Sequence, residues 1–100
     1  MVLEAVILNI KKGKANEFEN AFLKAQKIIS SIKGYKSHEL QKCIEKENKY
    51  ILLVQWKSLE AHTINFRESP EYQEWKKLLH HFYEPFPEVH HYSMVCNNLA

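Results

Sequence analysis

The sequence predicts an α+β domain with the element order β-α-β-β-α-β. Three observations lead there. Val2 to Ile10 and Tyr50 to Trp56 are dense in Val, Ile and Leu, as buried strands are. Ala15 to Ile32 repeats its apolar residues at helical spacing instead. Ser69-Pro70-Glu71 opens another helix late in the chain, with Ser as cap and Pro at the first helical position. The 100 residues suit one domain, 1–100, without repeats, linkers or low-complexity segments.

Each element has its own signal. Val2 to Ile10 is interrupted only by Glu4 and Asn9, so both faces of this strand are expected to be covered. Lys11-Lys12-Gly13-Lys14 makes a turn. Phe18, Ala21, Phe22, Ala25, Ile28 and Ile29 then form one apolar stripe of a helix, and Gly34 stands where a helix-ending glycine belongs. Tyr35 to Ile44 alternates as a strand. Five polar residues, 45–49, join it to Tyr50–Trp56 as an antiparallel hairpin. Ser58 caps a short helix over Leu59 to Phe66, with Glu60 in its first turn. Tyr72, Trp75, Leu78, Leu79 and Phe82 face inward from the next helix, which Pro85 and Pro87 end. Val89 to Cys96 closes the chain as a strand.

This is the ferredoxin-like split pattern, a four-stranded antiparallel sheet with helices on one face. The other sheet face is then uncovered and apolar, and such a patch usually marks an interface. A homodimer through the open sheet face is the physical expectation.

Composition excludes several classes. The formal net charge is +2 without a basic stripe, which argues against nucleic acid. Arg67 is the sole arginine, and that scarcity argues against an anion-clamping enzyme. No apolar run approaches the roughly 20 residues needed to span a bilayer. The start, Met1-Val2-Leu3-Glu4, has no basic leader, so a cytoplasmic protein is expected. Cys43 and Cys96 lie far apart without a CxxC setting and read as two buried, reduced thiols. Two glycines cannot build a phosphate loop. The absence of Asp, and of any GxSxG, argues against a Ser-His-Asp nucleophile. His80-His81 and His90-His91 are adjacent pairs whose side chains diverge, so neither pair chelates a metal alone.

Over essentially its full length the chain resembles the antibiotic biosynthesis monooxygenase family. The resemblance lies in Val54-Gln55-Trp56-Lys57-Ser58 followed by Glu60-Ala61-His62, and in Ser69-Pro70-Glu71-Tyr72 with Trp75. The closing Pro87-Glu88-Val89-His90-His91-Tyr92 completes it. It implies a dimeric α+β barrel in which each protomer keeps a pocket between sheet and helices. It also implies oxidation of an electron-rich aromatic, such as a quinol or polyphenol, by O2 without a metal or organic cofactor. The family's haem-degrading branch uses an Asn, a Trp and a His. The corresponding positions here hold Val6, Asn65 or Phe66, and Lys76, which disfavours that mechanism.

Cofactor-free oxygenation needs a site that holds an aromatic ring, excludes water and takes a proton. His62 and Asn65 are the candidate catalytic residues, three apart on one helix, with His62 as base and Asn65 holding a substrate oxygen. The plainer alternative is that His62 faces solvent or caps a loop. Phe66, Tyr72, Trp75 and Phe82 are the candidate pocket residues, although helical spacing equally suits Trp75 and Phe82 to plain core packing. Two other functions stay open: a non-catalytic dimeric module that binds a small hydrophobic ligand, and an atypical haem-handling protein.

Overall fold

The computed structural model describes residues 1–98. Strand β1 is Val2–Asn9, helix α1 Ala15–Ile29, β2 Tyr35–Lys42 and β3 Lys49–Trp56. A π-helical turn, Ala61–Phe66, precedes helix α2, Pro70–Leu79. A 3-10 turn, His80–Phe82, leads on to β4, Val89–Tyr92. The sheet order is β2-β3-β1-β4, every neighbouring pair is antiparallel, and the helices cover one face. This is the expected ferredoxin-like α+β fold.

Period-two alternation divides the sheet into two faces. On the inner face β1 buries Glu4, Val6 and Leu8, and β3 buries Tyr50, Leu52, Val54 and Trp56. The register sets Val6 between Leu52 and Val89, and Glu4 between Val54 and His91. α1 lays Phe18, Phe22, Ala25 and Ile29 on this face, and α2 adds Trp75 and Leu79. Phe18 anchors the centre, its ring 5.0 Å from Tyr50 and 5.8 Å from Phe82. The opposite face carries Leu3, Ala5, Ile7, Ile51 and Leu53. Ile7 is 43% exposed, so β1 is covered on one face and not on both.

Several boundaries differ from the expected ones for physical reasons. α1 ends at Ile29, five residues before Gly34. Gly34 serves instead in the turn into β2. Its φ is +94°, and a Cβ there would lie 2.5 Å from the Ala61 side chain. Its carbonyl accepts the Lys57 N–H at 2.7 Å. The glycine thus lets this turn press against the start of the π-turn. β2 stops at Lys42, leaving Ile44 exposed, and β4 stops at Tyr92 rather than Cys96. The thiols are free as expected but not buried: Cys43 is half-buried and Cys96 exposed. Ser69 caps α2 as expected, accepting the Tyr72 N–H at 3.2 Å. Among the described residues no helix is long and apolar enough to cross a membrane.

Candidate active site

A cavity of about 460 Å³ lies between the inner sheet face and the helices. β1 supplies Glu4, Val6 and Leu8 to its wall, and β3 supplies Leu52. The π-turn supplies His62 and Phe66, with Arg67 directly after it. α2 supplies Tyr72 and Trp75, and the segment beyond α2 adds His80, Tyr83 and Phe86. Rings from the π-turn and α2 meet along its wall. Phe66 lies 5.1 Å from Tyr72 and 5.5 Å from Trp75, both edge-on.

The predicted residues divide on this geometry. His62, Phe66, Tyr72 and Trp75 line the cavity. Asn65 does not; its amide donates to the Lys33 carbonyl at 3.0 Å on the outer side. The reason is the turn type. Arg67 N–H bonds the His62 carbonyl at 3.1 Å, five residues back. Such a turn holds more residues than an α-turn. The residues that return beneath His62 are therefore Phe66 and Arg67, not Asn65. Phe82 also lies away from the cavity, packed against Phe18 in the core.

Sequence reasoning passed over Glu4, the most unusual residue of the site. Its carboxylate is buried, with 5% of the residue exposed, opposite His62 at 3%. Trp56 Nε1 donates to Glu4 Oε1 at 2.9 Å, and His62 Nε2 lies 3.5 Å from the same oxygen. Glu4 Oε2 receives no hydrogen bond from the described residues. No fully buried side-chain oxygen among them lacks a partner, so Oε2 keeps access to the cavity. A signal for Glu4 was present: it shares the period of Val6, Leu8 and Ile10, which places a lone carboxylate on the inner face.

Burial controls the electrostatics. It raises the Glu4 carboxyl to about 7, against the opposing Trp56 hydrogen bond and the positive charge of Arg67. It lowers the His62 imidazole to about 3, helped by Arg67 and His91. Near neutral pH His62 is therefore a neutral imidazole beside a Glu4 carboxyl close to its midpoint, and the two do not form an ion pair. His62 also stacks on Trp56, with centroids 5.2 Å apart and planes 18° apart. On its other side His62 Nδ1 lies 2.7 Å from Nε2 of the half-buried His91. A chain of titratable groups therefore runs from the cavity toward solvent. The site holds more ionisable groups than its aromatic sequence suggested. Among the described residues no group of three His, Cys, Asp or Glu is arranged to hold a metal ion.

The α+β layers thus enclose a ring-lined cavity beneath the sheet, with one buried acid in its wall. The chain belongs to the antibiotic biosynthesis monooxygenase family, whose model matches residues 1–78. That match ends before His80, Tyr83 and His91. The chain is 58% identical over 95 residues to the uncharacterised protein YczJ of Bacillus subtilis strain 168, covering 95% of this chain and 100% of that one. A solved structure from Bordetella bronchiseptica carries the same family description. It superposes with a TM-score of 0.90 at 28% identity, covering 95% of this chain and 97% of that one. SnoaB, a cofactor-independent oxygenase from Streptomyces nogalater, shares the fold with a TM-score of 0.80 at 19% identity. That likeness covers 96% of this chain and 94% of SnoaB.

Proposed function

We propose that this protein is a cofactor-independent monooxygenase that oxidises an electron-rich aromatic, a quinol or polyphenol, with O2. The observation that carries the reading is Glu4 Oε2, open to a ring-lined cavity on a carboxyl raised to about 7. A base serves best when its pKa lies near the working pH. At about 3, His62 is a weak base, so the role first assigned to it passes to Glu4. His62 instead carries the proton onward to His91.

In this mechanism the substrate ring lies among Phe66, Tyr72 and Trp75, and its hydroxyl hydrogen-bonds Glu4 Oε2. Glu4 takes the proton. The resulting carbanion reduces O2 and bonds to it, giving a carbon-bound hydroperoxide once a proton returns. Loss of the remaining hydrogen on that carbon, with cleavage of the O–O bond, releases water and leaves a carbonyl. The substrate loses four electrons and the two oxygen atoms gain them. The apolar walls keep water away from the carbanion.

The reading includes a cytoplasmic setting and a homodimer through the open sheet face, supported by the apolar Leu3, Ala5, Ile7, Ile51 and Leu53 on that face. Oxygen consumption with a panel of quinols and tricyclic phenols tests the chemistry, against protein-free and heat-denatured controls. Saturable acceleration is the expected result. No acceleration across the panel would sink the enzyme reading and leave a binding module.

A further inference from the structure

A second cavity, of about 440 Å³, lies between helix α1 and the edge strand β2, and none of the described residues lines both cavities. Two side-chain contacts tie the helix to the strand, one at each end of this cavity. At one end Lys42 Nζ lies 3.3 Å from Glu19 Oε2, which also accepts the hydroxyl of the buried Tyr50. At the other end His38 Nε2 lies 3.1 Å from Gln26 Oε1, and the Tyr35 hydroxyl lies 2.5 Å from His38 Nδ1. Glu19 and Gln26 stand two turns apart on α1, about 10 Å along its axis. Between the two ties the lining is apolar, with Phe22 and Leu23 from α1 and Leu40 from β2. Leu23 is 60% exposed, which leaves apolar surface at the rim.

The polar groups at both ends keep unused capacity. Glu19 Oε1 takes no hydrogen bond from the described residues, and the Gln26 amide nitrogen gives none. The Tyr50 hydrogen bond holds the Glu19 carboxyl below its ordinary value, so it is an anion at neutral pH. Burial lowers the His38 imidazole and keeps it neutral. Glu39 also stands on the rim, so two carboxylates face one ammonium, that of Lys42. A free anionic oxygen is thus separated by an apolar floor from a free neutral donor. We propose that this cavity is a second ligand site, which takes a small amphipathic amine with a hydroxyl at its far end. The ammonium donates to Glu19 Oε1, the body lies on Phe22, Leu23 and Leu40, and the hydroxyl oxygen accepts from the Gln26 amide. A ring with a two-carbon arm spans the interval once a hydrogen bond closes each end. The site is independent of the oxygenase reading, since it uses none of the residues of the first cavity.

The test is calorimetric titration at low salt with tyramine. It is compared with 3-(4-hydroxyphenyl)propionate, which puts a carboxylate in place of the ammonium, and with phenethylamine, which lacks the hydroxyl. Wild-type protein is expected to bind tyramine on the order of tenfold more tightly than the acid. Glu19→Gln should weaken tyramine on the order of tenfold, and Gln26→Leu should remove its advantage over phenethylamine, with both folds intact by circular dichroism. Glu4→Gln, in the first cavity, should leave tyramine binding unchanged. No binding of tyramine, equal affinity for the acid, or an affinity unchanged by Glu19→Gln would overturn the proposal. A loss of binding in Glu4→Gln without one in Glu19→Gln would put tyramine in the first cavity and overturn it as well. A protein that oxidises no quinol but still binds tyramine through Glu19 loses the oxygenase reading and keeps the amine site.

Discussion

The indole N–H of Trp56 and the carboxylate of Glu4 share one 2.9 Å hydrogen bond that uses Oε1 and leaves Oε2 to the cavity. A residue of β3 thereby orients a residue of β1 across the strand pair. The bond opposes the burial that raises Glu4, and burial wins.

Glu4→Gln preserves an acceptor for Trp56 but cannot take a proton. Turnover should fall by on the order of a hundredfold or more, with the fold intact by circular dichroism. In the wild type, kcat/KM should rise with pH through about 7 as Glu4 ionises. Stability should move the opposite way. Glu4 is raised above its unfolded value of 4.5, so its contribution is complete below that value and is lost as pH rises through about 7. Glu4→Gln should therefore gain on the wild type between pH 5 and 8, by up to roughly 3 kcal/mol, in urea unfolding.

His62 has the reverse sign. Its folded value of about 3 lies below its ordinary 6.5, so the protein loses stability as pH falls between the two. His62→Ala removes the stacking on Trp56 and opens a void, costing about 2–3 kcal/mol at neutral pH. That deficit should shrink when unfolding is measured near pH 4.5, because the variant has no buried imidazole to keep neutral.

Asn65→Ala removes the bond to the Lys33 carbonyl and nothing from the cavity. The expected loss is about 1 kcal/mol of stability, with kcat and KM unchanged. A selective fall in kcat would return Asn65 to the catalytic role that helical spacing suggested.

Gly34→Ala meets both a positive φ and the Ala61 side chain, and should cost about 2–4 kcal/mol. Adding Ala61→Gly removes the contact but not the φ penalty, so thermal melts should show partial recovery.

Ile7→Glu with Leu53→Glu places two carboxylates on the open sheet face beside their partner strands. Sedimentation should show the wild type at twice the 11.9 kDa chain mass and this variant at the chain mass. A monomeric wild type would remove the proposed dimer.

The fold was legible because Tyr50–Trp56 and Ala15–Ile29 carry undiluted strand and helix periods, and Ser69-Pro70 marks a start that few other structures tolerate. The site was half legible. Aromatic residues near the helix break had to meet, and Phe66, Tyr72 and Trp75 do. Asn65 misled because a π-turn is not written in residue type; its ends pack on Gly34 through Ala61 and on Trp56 through Phe66. Glu4 was passed over as a mere interruption of an apolar strand expected to be covered on both sides. Once β1 has a single covered face, the same residue becomes a buried acid. His91 was legible only as half of an adjacent pair, because only the β1–β4 register sets it across from Glu4.

The alternation in β1 has a consequence for how this protein can change over evolutionary time. Glu4 and Val6 serve the cavity, while Leu3, Ala5 and Ile7 serve the outer face, one residue apart along the same strand. Point substitutions at either set can drift independently. A single-residue insertion or deletion within the strand cannot, because it would exchange the two faces at once, sending the acid outward and an aliphatic side chain into its place. Length variation in relatives should therefore collect in the turns at 11–14 and 43–48, and β1 should keep its residue count even where its sequence diverges.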